Sequence, residues 1–401
     1  MTWLDLAPDD PFGVHNLPYC SFATGRAHHV VGVRVGDRVL DLSALESAGH
    51  VDAAGALEES PTLNHLLDLG PDGWAEVRQR LRDLLTQERH RSEIEDLLFN
   101  IEDVSLALPF DVGDYVDFYS SEHHASNVGR IFRPDQPPLL PNWRHLPVGY
   151  HGRSGTVTIG EMIDRPCGQH KTADADRPAF GPSTRLDIEA EVGFVVGVKG
   201  GRADGVTVAD FPRRVFGVVL VNDWSARDIQ AWEYQPLGPF LGKSFATSIS
   251  PWVVPLAALE AARVPAPVQD PPVLDYLREA ERYTFDIGLE VRWNGNVVSR
   301  PPFRGLYWTP AQQLAHMTVN GASLRSGDLY ASGTVSGPER NQVGSFLELT
   351  WGGTQPVTLD DGSTRTFLED GDTVIITATA PGPDGEVVGF GHVSGTIRPA
   401  R

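Results

Sequence analysis

The chain is poor in cysteine: only Cys20 and Cys167 occur, far apart. That excludes a disulfide framework, a Cys-x-x-Cys pair and a zinc ribbon, and both side chains read most simply as buried thiols. Basic residues are also scarce. Lys and Arg number 33 against 53 Asp and Glu, a formal charge of −20, which argues against a nucleic-acid or anionic-membrane surface. No apolar run approaches the roughly 18 residues of a membrane span. The stretch Met1 to Asp10 has neither the basic start nor the apolar core of a signal peptide. A cytoplasmic protein is expected.

Several catalytic signatures are missing as well. No Gly-x-Ser-x-Gly elbow occurs, which disfavours a serine hydrolase of the common α/β type. In Leu237 to Ser244 the first glycine stands one residue too close to Gly242-Lys243-Ser244 for a phosphate loop, and Pro239 interrupts it. Gly389-Phe390-Gly391-His392 lacks the third glycine of a dinucleotide fingerprint, and no helix follows. Among 13 histidines, His123, His124, His145 and His151 offer nitrogen ligands, but no His-x-x-x-His spacing supports zinc.

What is present is enough for two or three domains: 401 residues with 41% hydrophobic content can bury a large core. His29 to Leu42 alternates and turns at Gly36-Asp37 as a hairpin does. Trp74, Val77, Leu81, Leu84 and Leu85 recur at helical spacing within Pro71 to Glu95. These predict a small β domain with a helix over 1–110. From 111 to 401, β-branched runs separated by Gly and Pro predict a large, mostly β domain. They are Val192 to Val198, Val215 to Val221, Tyr283 to Trp293, Ser345 to Trp351, Thr373 to Ala378 and Val387 to Ile397, and their core strands should be buried on both faces. Helical pieces there are brief, notably Trp308 to Met317, which opens at Thr309-Pro310 like a capped helix.

Four carboxylates, Asp117, Glu189, Glu191 and Asp223, lie beside or within apolar runs and are the hard-oxygen type that closes around a divalent cation. In Leu186 to Val192 acidic and apolar residues alternate, so on a strand Asp187, Glu189 and Glu191 share one face. Adjacent like charges need a counter-ion. Asp114 to Gly129 gathers acid, phenol, hydroxyl and imidazole in a stretch that composition alone reads as a solvated loop, yet a histidine there can act as a general base. The run Val215 to Val221 delivers Asp223, Arg227 and Gln230 at helical spacing, with Trp232, Tyr234 and Phe240 expected to wall the same pocket. Gly344 to Trp351 alternates as a strand would, leaving Glu348 either exposed or the partner of an imidazole.

Asp117 to Ser121, His124 to Gly129, Leu140 to Trp143, Leu146 to Arg153, Asn222 to Gln230 and Leu237 to Phe245 resemble the fumarylacetoacetase family, and the likeness covers nearly the whole chain. The resemblance implies a mostly β (α+β) protein, a small SH3-like N-terminal barrel followed by a large C-terminal mixed β-roll, forming a homodimer. It implies hydrolysis of a carbon–carbon bond in 4-fumarylacetoacetate to fumarate and acetoacetate, the last step of tyrosine and phenylalanine catabolism. It implies calcium or magnesium held by Asp117, Glu189, Glu191 and Asp223, with Lys243 and Thr247 bordering a second, structural magnesium site beside Asp223. Substrate contacts fall on Tyr119, Arg133, Tyr150, Gln230, Tyr234 and Thr334. His124 takes the place of the general base, oriented by Glu348, and Arg227, Gln230 and Lys243 are the implied donors to the oxyanion. Acylpyruvate hydrolases share the metal set on the same scaffold but are usually shorter and lack the Asp117 to Gly129 block.

Overall fold

The hairpin expected at Gly36-Asp37 forms, with Gly36 at φ 58, where a side chain would be strained. The computed structural model describes residues 2–7, 9–25, 28–58, 60–172, 174–200 and 205–401. Strands β1 (Tyr19–Thr24), β2 (Val30–Val35), β3 (Arg38–Asp41), β4 (Leu98–Asn100) and β5 (Val104–Ala107) build an antiparallel half-barrel in the order β4-β3-β2-β1-β5. The helix Gly70–Thr86 buries Trp74, Val77, Leu81, Leu84 and Leu85 against it, the residues whose spacing predicted it.

The large domain is built on a sheet that begins with β6 (Tyr115–Phe118) and β7 (Gly149–His151). Its order runs β7, β6, Leu329–Ala331, Ala190–Val196, Val215–Asp223, Thr247–Ile249, Val157–Thr158. Every residue of Ala190–Val196 and Val215–Asp223 is buried. Successive side chains point to opposite faces. Val218 and Leu220 therefore enter the core of the large domain, whereas Val219 and Val221 join a second core shared with Val33, Leu81 and Leu84 of the half-barrel. Water reaches neither face, which is why these strands read as unbroken apolar runs. A five-stranded sheet of Asn296–Ser299, Gly288–Trp293, Thr373–Pro381, Val387–Arg398 and Met162–Asp164 completes the domain.

Four expectations need correction. Tyr283 to Trp293 is two strands, Tyr283–Phe285 and Gly288–Trp293, in different sheets. Gly344 to Trp351 is not a strand: Phe346–Leu349 is a helical turn whose N-cap, Ser345, accepts from the Glu348 amide at 3.3 Å. The Ser345 hydroxyl caps the third amide of the turn while Asp187 takes the first two, so the segment's amides are satisfied without an extended ladder. Asp114 to Gly129 is no solvated loop, since β6 and the helix Glu122–Phe132 occupy it and bury Asp117, His124 and Gly129. Cys167 is exposed on the hairpin strand Cys167–His170, while Cys20 is buried as expected.

Candidate active site

The sheet brings the acids together. β6 pairs in parallel with Leu329–Ala331, setting Asp117 opposite Ala331, and Ala331 in turn lies opposite Gly193 of Ala190–Val196. The next strand places Val221 opposite Glu191, and the amide of Asp223 donates to the carbonyl of Glu189 at 3.1 Å. Asp117, Glu189, Glu191 and Asp223 can each offer an oxygen within 4.8 Å of the others, all buried. Asp187, expected on the same face, is not in this group, because the strand breaks at Ile188 and Glu189.

Charge inside the cluster is unevenly met. Burial would raise the Glu189 carboxyl, but the Lys243, Arg227 and His124 charges hold it well below the usual range. Lys243 Nζ bonds Glu189 Oε2 and reaches Asp223 Oδ2 at 2.8 Å; Arg227 Nη2 donates to Glu189 Oε1 at 2.7 Å. Asp117 and Glu191 fare otherwise. Burial pushes both well above the carboxylate range, and the neighbouring acids, Asp223 for Asp117 and Asp117 for Glu191 foremost, add to it. Both oxygens of Glu191 and Oδ1 of Asp117 are buried with no hydrogen-bond partner. Unpartnered buried carboxylate oxygens are costly. A divalent cation among them fits the donor set, which is all oxygen.

Beside the acids lies a pair of groups suited to moving a proton. His124 Nδ1 is 2.7 Å from Glu348 Oε2, and the other ring nitrogen, Nε2, lies 3.7 Å from Glu189 Oε1, beyond a hydrogen bond. Glu348 also accepts from Asn127 Nδ2 at 3.0 Å, Ser336 Oγ at 3.0 Å and Ser345 Oγ at 2.8 Å. Burial would raise its carboxyl, yet the His124 charge and the bonds from His124, Asn127 and Ser345 outweigh it and hold Glu348 low. An ionised Glu348 keeps a proton on Nδ1, so the neutral form of the ring is the tautomer with its lone pair on Nε2.

A cavity of about 410 Å³ opens over these groups. Asp117, Tyr119, His124, Arg133, Tyr150 and Glu189 line it, and the helix Arg227–Glu233 with its following turn adds Arg227, Gln230 and Tyr234. Tyr150 Oη lies 2.9 Å from Asp117 Oδ2 and 2.8 Å from Asp223 Oδ2, so its one proton is shared between the two carboxylates. Arg227 Nη1 bonds Gln230 Oε1 at 3.1 Å. The Tyr119 ring meets the His124 imidazole edge-on at 5.2 Å.

Over this chain two family models match in tandem: Fumarylacetoacetase N-terminal over residues 15–109, and Fumarylacetoacetate (FAA) hydrolase C-terminal over 115–398. The chain belongs to the fumarylacetoacetase family. The fumarylacetoacetase of Homo sapiens is 46% identical over 419 residues, covering 100% of this chain and 99% of that one. That of Arabidopsis thaliana is 44% identical over 416 residues, covering 100% and 98%. Among solved structures, the fumarylacetoacetate hydrolase of Exiguobacterium antarcticum superposes with a TM-score of 0.55 at 16% identity, covering 96% of this chain and 100% of that one. The maleylpyruvate hydrolase of Sphingobium sp. SYK-6 gives 0.51 at 16%, with coverage of 96% and 100%. At such identities the likeness is one of fold.

Set against the motifs that resemble the fumarylacetoacetase family, the structure also departs from expectation. Asp223 ends a strand, so it shares no helical face with Arg227 and Gln230; the sheet brings it to the site instead. Trp232 and Phe240 are not in the cavity wall and are 44% and 59% exposed. At about 100° per residue, a helix facing inward at Arg227, Gln230 and Ala231 turns Trp232 outward. Thr334 is buried off the cavity, its hydroxyl unpartnered. Thr247 Oγ1 donates to Asp223 Oδ1 at 3.3 Å. Among the described residues the four acids are the one His, Cys, Asp or Glu group with metal-ligand spacing, and Lys243 and Thr247 both bond one of its members, Asp223. His123, His145 and His151 are exposed and outside that group. Ser336 and Ser345, both partners of Glu348, are not among the residues that the sequence patterns mark. The Ser-x-x-Glu spacing was the signal that would have found Ser345.

Proposed function

We propose that this protein hydrolyses the carbon–carbon bond of 4-fumarylacetoacetate, yielding fumarate and acetoacetate in tyrosine and phenylalanine catabolism. The observation that carries the reading is the His124–Glu348 pair beside four convergent acids, at a cavity in a chain 46% identical to a fumarylacetoacetase over its full length. A calcium or magnesium ion held by Asp117, Glu189, Glu191 and Asp223 would supply a Lewis-acid charge that polarises a substrate carbonyl.

The chain's own groups do the rest. Arg133 lines the cavity with its Nε unpartnered, and pairs with the terminal carboxylate of the fumaryl arm. Tyr119 and Tyr234 wall the chain of the substrate, and Tyr150 holds Asp117 and Asp223 in place. Nε2 of His124 takes a proton from water, and the hydroxide adds to the fumaryl carbonyl carbon. Arg227, Gln230 and Lys243 donate to the oxygen that becomes negative. When the carbonyl reforms, the bond to the acetoacetate carbon breaks and its electron pair leaves on that carbon, delocalised into the one adjacent ketone as an enolate. The proton on His124 is then delivered to it.

The test is to mix purified protein with fumarylacetoacetate, with and without a chelator, and follow the loss of its ultraviolet absorbance. Chelator-sensitive loss is expected, and none at all would sink the assignment. A homodimer and a cytoplasmic setting belong to the same proposal; sedimentation equilibrium checks the first and cell fractionation the second. No helix among the described residues is long and apolar enough to cross a membrane.

A further inference from the structure

One buried acid takes no part in the chemistry above. Asp187 is wholly buried yet lies outside the four-carboxylate group. Its oxygens accept four hydrogen bonds. Oδ1 takes the backbone amides of Ile188 and Phe346, both at 2.8 Å, and Oδ2 takes Arg227 Nε at 2.8 Å and the Leu347 amide at 3.1 Å. Phe346 and Leu347 open the turn that carries Glu348.

From there the contacts close on themselves. Arg227 donates through Nη2 to Glu189 Oε1 at 2.7 Å, Glu189 Oε1 lies 3.7 Å from His124 Nε2, and His124 Nδ1 lies 2.7 Å from Glu348. Glu348 returns to Asp187 through its own helical turn. Asp187 is the member of this ring that touches both the guanidinium and the turn.

The geometry points to Asp187 as a positioning residue, whose carboxylate holds the Glu348 turn, and so the His124 imidazole, in register with the Arg227 guanidinium. Four N–H donors face it, so both oxygens must accept. An asparagine would turn an NH2 toward two of those donors whichever way its amide is flipped. The planar fork of Arg227 suits the arrangement, because its Nε and Nη2 reach Asp187 and Glu189 at once. The ring stands on the geometry alone; its effect on turnover rests on the hydrolase reading.

Asp187→Asn is expected to lower kcat by about 100-fold or more while KM and calcium affinity change by less than about threefold, since Arg133 and the four acids are untouched. In a Glu348→Gln background the same substitution should cost less than about tenfold, because a unit already broken loses little more. A full multiplicative loss in that background, or a KM rise matching the fall in kcat, overturns the proposal.

A second measurement needs no activity and covers the case in which Asp187→Asn fails to fold. It is hydrogen exchange at the Phe346 and Leu347 amides in the Arg227→Lys protein, where Asp187 is retained. Exchange about tenfold or more faster than in the parent supports the linkage, and unchanged exchange overturns it. If the parent itself turns over no fumarylacetoacetate, the hydrolase reading falls, and exchange alone decides the ring.

Discussion

His124 Nδ1 lies 2.7 Å from Oε2 of Glu348, a carboxylate 224 residues further along the chain. The pair sets the tautomer, and the tautomer sets which nitrogen can accept a proton. His124→Ala should lower kcat by about 10³-fold or more while leaving metal affinity nearly intact, as titration calorimetry would read. A large loss of metal binding would show that His124 is a ligand and not the base. Glu348→Gln should lower kcat by about 10²-fold or more with little change in KM, because an amide no longer dictates the proton position.

The orphaned oxygens of Asp117 and Glu191 make a cation a stabiliser of the fold. Calcium or magnesium at about 100 times its dissociation constant should add roughly 2.7 kcal/mol, seen as a rise in Tm that a chelator reverses. Glu191→Gln should lose most of that rise. A Tm indifferent to both ions would count against the site.

Arg133 is the cation expected to read the fumaryl carboxylate. Arg133→Ala should raise KM by about 10- to 100-fold, the worth of a charge-assisted hydrogen bond, with a smaller fall in kcat. Steady-state kinetics giving an unchanged KM would remove Arg133 from the binding site.

Away from the site, Glu279 is pushed up to about 7 by burial, against the lowering effect of the Thr309 hydroxyl at 2.8 Å and the Arg282 charge. An acid raised above its unfolded value of 4.5 takes up a proton on folding in the window between, so stability falls as pH rises from 4.5 to about 7 and stays lower above it. Glu279→Gln keeps an acceptor for Thr309 and cannot ionise. It should raise Tm at pH 8 by a few degrees and not at pH 5; a difference independent of pH would exclude this origin.

Gly129 sits on the helix Glu122–Phe132 where an added Cβ would overlap the carbonyl oxygen of Pro138. Gly129→Ala must therefore displace either that loop or the helix that carries His124. The expected cost is about 1–3 kcal/mol, measured as a lower denaturant midpoint. An unchanged midpoint would mean that the Pro138 loop yields freely.

Much of the site was legible because its chemistry is written in residue type and local pattern. The acids stand beside apolar runs, His124 stands in a polar block, and Arg227 with Gln230 has helical spacing. Misreadings came where two local patterns coincide. Ser345 to Trp351 alternates like a strand but also carries a helix cap, and the cap wins because Asp187 takes the first amides of the turn. Trp232 is close in sequence to pocket residues, but the phase of its helix turns it to solvent.

The sequence by itself determined the inventory: hard-oxygen acids, a candidate base, runs apolar enough to be buried on both faces, and the cap at Thr309. Tertiary structure decided who meets whom. Asp117, Glu191 and Asp223 converge through the register of three ladders, and Glu348 reaches His124 because a carboxylate at Asp187 holds its turn. Register is a property of backbone hydrogen bonds between distant segments, to which local propensity is blind.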